Sequence, residues 1–228
     1  MSGVVNIEET SQNWKEQIIG EDTKFPFFVV DNWYTPNEEN AVWKELDFLS
    51  ASPKDNIARA ENTIVARDPK GKALSNAYRF YLEDFYMNRN KSHILNCTYK
   101  QRTKKFGDYV KKCKPYSRGF ISSNKDSSLI SYYEENDHYK PHHDVFLWTC
   151  LIWMVREPRL FDGGNFRINE PEIEIKLKNN RLIMFPSCYL HSVTPIKFHT
   201  KPKEIGYGRY TITHFYYSIP GYYQKDQF

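Results

Sequence analysis

Long apolar runs are missing from this chain of 228 residues. No stretch approaches the roughly 18 consecutive apolar residues that would read as a membrane-spanning helix. Cysteine is sparse: Cys97, Cys113, Cys150 and Cys188 form no C-x-x-C pair, and four in a chain of this length do not read as a disulfide scaffold. Cys150 and Cys188 lie in apolar runs and read as small core residues. A large charge imbalance is also lacking. The 32 basic and 28 acidic side chains leave a net charge of +4, too little to imply a nucleic-acid partner by itself. Met1–Glu9 show no basic segment followed by an apolar stretch, so no signal peptide is expected and a reducing cytoplasm is the expected location. Internal repeats and low-complexity linkers are absent too, which favours one domain over 1–228.

Aromatic residues, by contrast, are plentiful, at 16% with 17 Tyr and 15 Phe. They favour strands and broad packed faces over a helical bundle. Basic residues cluster at Lys100, Arg102, Lys104 and Lys105, and again at Lys111, Lys112 and Lys114. That pattern suits the solvated face of a helix, or a contact surface for an acidic partner.

The first half, 1–114, reads as helix-rich. Phe25-Pro-Phe-Phe-Val-Val-Asp31 suits a buried strand. Thr35 then offers an N-cap, Pro36 suits the first helical position and Glu38 completes a capping box. Val42, Leu46 and Leu49 follow at helical spacing. The polar stretch Ser50–Asn62 reads as a loop, and helices are expected over about Lys72–Met87 and about Ser92–Lys112. From 115 to about 220 the chain becomes a series of seven or eight short aromatic and β-branched runs. Among them are Leu129–Tyr133, Val145–Val155, Asn165–Ile168 after the Gly163-Gly164 turn, and Tyr207–Ile219. Ile173–Leu177 alternates strictly, and Asn179-Asn180 is expected to turn it by a hairpin into Arg181–Phe185. Such a series predicts a sandwich, jelly roll or barrel, so the fold class is α+β with a mainly-β core and supporting helices before it.

Tyr139-Lys-Pro-His-His-Asp144 carries the chemistry. On a strand, residues i and i+2 face the same way, so His142 and Asp144 project together and His143 points away. An imidazole and a carboxylate on one face can hold a divalent metal. His191, 47 residues beyond Asp144, is the best third ligand, on a strand returning alongside. Two His and one carboxylate on one face leave positions open for a chelating co-substrate and oxygen, which suits non-haem Fe(II). Zinc prefers a tetrahedral site, with one open position in its catalytic form, although His and Asp alone leave zinc and manganese open. Further on, Arg209 and Thr211 share a face of an aromatic strand. An arginine there is costly to bury unpaired. It is a partly exposed edge residue, a structural ion pair, or a clamp for a carboxylate, whose geometry a guanidinium matches.

Together these residues resemble the 2-oxoglutarate- and Fe(II)-dependent dioxygenases, and within them the prolyl 4-hydroxylase-like branch. Tyr133 and Tyr139 stand nine and three residues before His142, as in that branch's Y-x5-Y-x-P-H-x-D pattern. Gly163-Gly164 matches its Gly-Gly strand start and His191-Ser-Val-Thr-Pro195 its second-histidine motif. The resemblance covers Leu129–Ile219 and the helix-opening segment Asp31–Glu39. It implies a double-stranded β-helix, or jelly roll. It also implies that Fe(II) is held by His142, Asp144 and His191, with the distal carboxylate of 2-oxoglutarate held by Arg209 with Tyr133 and Thr211. Ascorbate would serve as reductant. In one respect the chain departs from the pattern: Arg209 follows His191 by 18 residues, where the branch has its basic residue about ten later. Lys201 stands at that shorter spacing, but in a Thr-Lys-Pro-Lys stretch that reads as a loop. Arg209 is therefore preferred, with a hairpin around Lys197–Tyr207 absorbing the extra length.

The reaction implied is oxidative decarboxylation of 2-oxoglutarate to succinate coupled to hydroxylation of an organic substrate. Asp144 favours hydroxylation, because related halogenases lack that carboxylate. The branch points to a prolyl or other peptidyl side chain. A free amino acid or other small molecule is the alternative, and an inactive jelly-roll binding module is the alternative of another class. Nucleic acid is not expected as substrate, since the relatives that demethylate it carry a second arginine six residues after the first, where this chain has Phe215.

Overall fold

The chain is described by a computed structural model over residues 14–21, 23–51, 58–202 and 204–221. The strands are β1 (Lys15–Ile19), β2 (Phe27–Asp31), β3 (Ala58–Arg59), β4 (Tyr78–Tyr81), β5 (Lys125–Tyr133), β6 (Tyr139–His142) and β7 (Trp148–Met154). They continue as β8 (Phe161–Gly163), β9 (Phe166–Asn169), β10 (Glu172–Ile175), β11 (Arg181–Pro186), β12 (His191–Val193), β13 (Ile196–Phe198) and β14 (Arg209–Tyr217). The helices are α1 (Pro36–Ala51), α2 (Leu82–Phe85), α3 (His93–Asn96), α4 (Lys104–Lys112) and α5 (Ser117–Ile121).

An eight-stranded sheet runs in the order β1-β2-β11-β7-β14-β5-β4-β3. A four-stranded sheet, β10-β9-β12-β6, and the pair β13-β8 complete the β structure, and all ladders are antiparallel. Every residue of β7 is buried, as is every residue of β14 but the last, so the large sheet is covered on both faces. Alternation sorts its side chains. Ile130, Tyr132, Ile152, Leu182, Met184, Ile212 and Tyr216 pack toward Val42, Leu46 and Leu49 of α1 and Phe106 and Val110 of α4. Their chain neighbours Tyr133, Leu151, Trp153, Ile183 and Phe185 pack toward Phe166, Ile168 and Val193 of the four-stranded sheet. Two sheets with interdigitated inner faces make a sandwich.

The capping box forms: Thr35 N donates to Glu38 Oε2 at 2.8 Å and Glu38 N to Thr35 Oγ1 at 3.3 Å. Glu38 Oε2 also receives Lys100 Nζ at 2.7 Å. Lys100 is thereby a correction to the solvated basic cluster. It is fully buried and donates as well to the Trp33 carbonyl at 2.6 Å, while Lys104, Lys105, Lys111 and Lys112 do face solvent.

Other expectations are revised. The helix expected over Lys72–Met87 is β4 followed by the short α2, because Tyr78-Arg-Phe-Tyr81 adds to the edge of β5. Ser92–Lys112 is broken into α3, a 3-10 stretch Cys97–Arg102 and α4, with Thr103 capping the last. The stretch Ser50–Asn62 holds the end of α1 and β3, and its residues 52–57 lie outside the described ones. The half before residue 115 contributes four strands to the large sheet, besides its helices. Asn179-Asn180 makes no hairpin. β10 pairs with β9 in the small sheet, and β11 pairs with β2 and β7 in the large one. Asn180, at φ 56°, bonds the backbone of Tyr34 instead, as acceptor from N and donor to O, both at 2.8 Å. Likewise β13 pairs with β8, so no hairpin around Lys197–Tyr207 leads into β14. Cys188 is exposed, unlike Cys150, and all four cysteines are free. Among the described residues no helix is long and apolar enough to cross a membrane.

Candidate active site

β6 and β12 are neighbours in the small sheet, and their register sets His142 directly opposite His191. The two rings lie 4.2 Å apart, and Tyr139 stacks on His142 at 3.5 Å between centroids. Asp144 stands just past the end of β6, not on it. Its direction is fixed by the neighbouring β7–β11 region: Asp144 N donates to the Ser187 carbonyl at 3.1 Å, and Thr149 Oγ1 donates to Asp144 Oδ2 at 2.7 Å. The carboxylate oxygens lie 3.6 Å from His142 Nε2 and 3.5 Å from His191 Nε2. One ligand atom from each of the three residues falls within 4.8 Å of the other two.

The tautomers follow from the backbone. Nδ1 of His142 lies 2.8 Å from the Lys140 carbonyl, and Nδ1 of His191 lies 2.8 Å from the Tyr189 carbonyl. A carbonyl can only accept, so each Nδ1 carries a proton, which leaves Nε2 of each ring as the atom turned toward Asp144 and available to a metal. Burial pushes His191 down to about 4, against the opposing pull of Asp144, so this ring is neutral at pH 7. Burial alone would raise Asp144, but the two imidazoles and Thr149 outweigh it and hold the carboxyl at about 2. The two shifts agree: Asp144 titrates in acid, where His191 is an imidazolium. Two imidazole Nε2 atoms and a carboxylate therefore converge on one point, a donor set that suits a cation between them. The residues fit a divalent metal, with hydrogen bonds behind the ligands already in place.

Arg209, the first residue of β14, sits opposite Tyr133 of β5. It is fully buried, and among the described residues Nε, Nη1 and Nη2 all lack a hydrogen-bond partner, as does Thr211 Oγ1 on the same face. Its guanidinium carbon lies 4.8 Å from the Tyr133 ring centroid and 5.5 Å from that of Trp153. Burial lowers its pKa and Tyr133 opposes that shift. Arg209, Thr211, Tyr133 and the His-Asp-His group all line one cavity. An unpaired guanidinium in such a place is costly and fits an incoming carboxylate. Gly164, at positive φ, makes room for the arginine, since a Cβ there would meet Arg209 Cδ at 3.1 Å, while Gly163, also at positive φ, packs instead against the Pro195 carbonyl. Lys201, in contrast, lies exposed in the loop after β13.

Of the other histidines, His143 is exposed and near the Cys188 carbonyl. His214 is buried on the opposite face of β14, bonded to Ser128 Oγ at 2.8 Å. Two cavity neighbours escaped the sequence reading. Thr149, which orients Asp144, sits in an apolar run where its hydroxyl gave no signal. Arg79 lines the cavity from β4, and the aromatic alternation around it, taken for a helix, was the signal available.

Residues 128–217 match the 2OG-Fe(II) oxygenase superfamily, whose cofactors are Fe(II) and 2-oxoglutarate. Among curated proteins no sequence matches the chain. Among solved structures, a prolyl-4-hydroxylase of Pseudomonas putida is similar with a TM-score of 0.51 at 13% identity, over 93% of this chain and 97% of that one. A prolyl hydroxylase of Trichoplax adhaerens, solved with a hypoxia-inducible-factor peptide fragment, gives 0.54 at 13% identity, over 93% and 87%. A prolyl 4-hydroxylase structure from Phytophthora capsici gives 0.51 at 14%, over 84% and 58%. At such identities the likeness is one of fold, and that fold is the jelly roll.

Proposed function

We propose, for a chain that carries the 2OG-Fe(II) oxygenase superfamily's core over residues 128–217, that it hydroxylates a prolyl or other peptidyl side chain. The observation that carries the reading is the pairing, in one cavity, of the His142-Asp144-His191 group with a fully buried arginine whose guanidinium meets only ring faces and has no carboxylate partner among the described residues. His142, Asp144 and His191 would hold Fe(II), and Arg209, with Thr211 and Tyr133, would hold the distal carboxylate of 2-oxoglutarate. When bound, iron and 2-oxoglutarate supply the oxidising power for insertion of oxygen into a C–H bond.

The protein's own residues supply position and dryness. The Lys140 and Tyr189 carbonyls keep both imidazoles in the ligating tautomer. Thr149 holds the carboxylate toward them. Arg209 offers two parallel N–H donors to one end of the co-substrate, fixing its register. Leu129, Leu151, Phe166 and Phe215 give the remaining wall apolar surface, and a low-dielectric wall strengthens each of these charge contacts. The peptidyl substrate is supported by the jelly-roll likeness to prolyl hydroxylases and by a second, solvent-open cleft that adjoins the cavity.

Succinate formation from 2-oxoglutarate with Fe(II) and oxygen tests the reading. Wild-type protein is expected to turn over, and Asp144→Ala to lose turnover while keeping its fold. Wild-type rates in the variant would show that the carboxylate is not a ligand. An inert wild type that binds both ligands would identify a binding module.

A further inference from the structure

Arg209 has a companion. Arg79 is only 7% exposed, and the register runs Arg79–Ser131–Thr211 straight across β4, β5 and β14. It therefore stands on the same inner face as Thr211, two strands nearer the sheet edge, and lines the cavity that holds His142, Asp144 and His191. It also lines the adjoining cleft of about 570 Å³, open to solvent, together with Tyr81, Asp84 and Ile64. Its Nε has no hydrogen-bond partner. Its Nη1 reaches only the Ile64 carbonyl, at 3.4 Å, the outer limit of a hydrogen bond. No carboxylate pairs with it among the described residues, and its remaining contact is the Tyr139 ring, 5.5 Å from the guanidinium carbon. A distant ring face compensates little of what a buried guanidinium loses on leaving water.

Among the described residues, then, nothing neutralises it, and a carboxylate from outside the fold would. 2-Oxoglutarate has two carboxylates. In the function proposed above, on which this inference rests, one goes to the metal and the other to Arg209, so neither remains for Arg79. We propose that Arg79 receives a carboxylate of the substrate, and that this enzyme acts on acidic substrates. Asp84, exposed on the same cleft, adds a carboxylate to its lining. A free amino acid would present an ammonium to Asp84 as well as a carboxylate to Arg79, whereas an acidic peptide would present the carboxylate alone.

The test uses the full chain with Mn(II) in place of Fe(II), which blocks turnover, and saturating 2-oxoglutarate. Calorimetry measures binding of matched probes: capped peptides with Glu-Pro or Gln-Pro at the centre, and free amino acids or their amides. Carboxylate probes of one family are expected to bind about tenfold or more tighter than their amides. Arg79→Gln should erase that preference and Arg79→Lys recover part of it, while 2-oxoglutarate affinity stays within about twofold. Preference among the peptides identifies an acidic peptide as substrate, and preference among the free acids identifies a zwitterion. Equal binding of acids and amides, or no binding by any probe, overturns the proposal. If Arg79→Gln weakens 2-oxoglutarate as much as Arg209→Ala does, Arg79 serves the co-substrate and the proposal fails while the proposed function stands. If the wild type binds no 2-oxoglutarate, both fail. Arg79→Met is expected to melt no lower than wild type, since it removes a buried unpaired charge. A clear drop would make Arg79 a structural prop against Tyr139 and overturn the proposal.

Discussion

Arg209 and Lys201 were the two candidates for one task, and their surroundings differ in kind. Arg209 is fully buried with every nitrogen unpaired, while Lys201 is exposed on a loop. Arg209→Ala is expected to weaken 2-oxoglutarate by about 3–5 kcal/mol, a factor of hundreds or more, with metal affinity little changed. Lys201→Ala is expected to leave both alone. Titration calorimetry on the two variants decides it, and a crippled Lys201→Ala beside a normal Arg209→Ala would reverse the assignment. At this scale the sequence was informative wherever one strand period sufficed. Strand alternation put Arg209 and Thr211 on one face, and the spacing of His142, Asp144 and His191 pointed to one cluster. Asp144 was reached by the right rule in the wrong place, since β6 ends at His142 and Thr149 does the aiming. Arg79 stayed hidden because its meaning depends on which strand lies beside it.

Elements were legible where the signal was local and obscure where it was not. Thr35, Pro36 and Glu38 announce α1 because a capping box closes within four residues. The ends of β10 and β11 look like a hairpin, yet the chain changes sheet there. Only the pairing with β9, β2 and β7 reveals the crossover, and no window of sequence contains those partners. β8 shows how tightly such a junction is built. Gly163 has φ +80°, and an added Cβ would fall 1.9 Å from the Pro195 carbonyl oxygen, two residues beyond β12. Gly163→Ala is therefore expected to cost about 3 kcal/mol or more in urea unfolding. It should also weaken metal binding, because β12 carries His191. Unchanged unfolding would mean that β8 can move away from β13 at little cost.

On the scale of the whole molecule, acid is the condition that tests the sandwich. His214 is buried between β5 and the helical layer, and burial pushes it down to about 4 from an ordinary value of 6.5. The unfolded chain thus binds a proton that the folded one refuses. Stability is complete above about pH 6.5 and falls as pH drops toward 4, by about 2 kcal/mol between pH 7 and 5 from this residue. His191 adds to it with the same sign. In metal-free protein, His214→Gln should flatten the urea stability profile over that interval, and an unaltered slope would show that His214 charges freely in the fold. The site itself is divided between the layers: His142 and His191 belong to the small sheet, Arg209 and Thr211 to the large one. A molecule gripped by the metal at one end and by Arg209 at the other would fasten together two layers that otherwise meet through apolar packing and the few hydrogen bonds around Asp144. On the proposed function, iron supply would then govern how long the protein survives in a cell. Resistance to protease should rise with Mn(II) and 2-oxoglutarate together by more than the sum of their separate gains, and a merely additive gain would count against such a clasp.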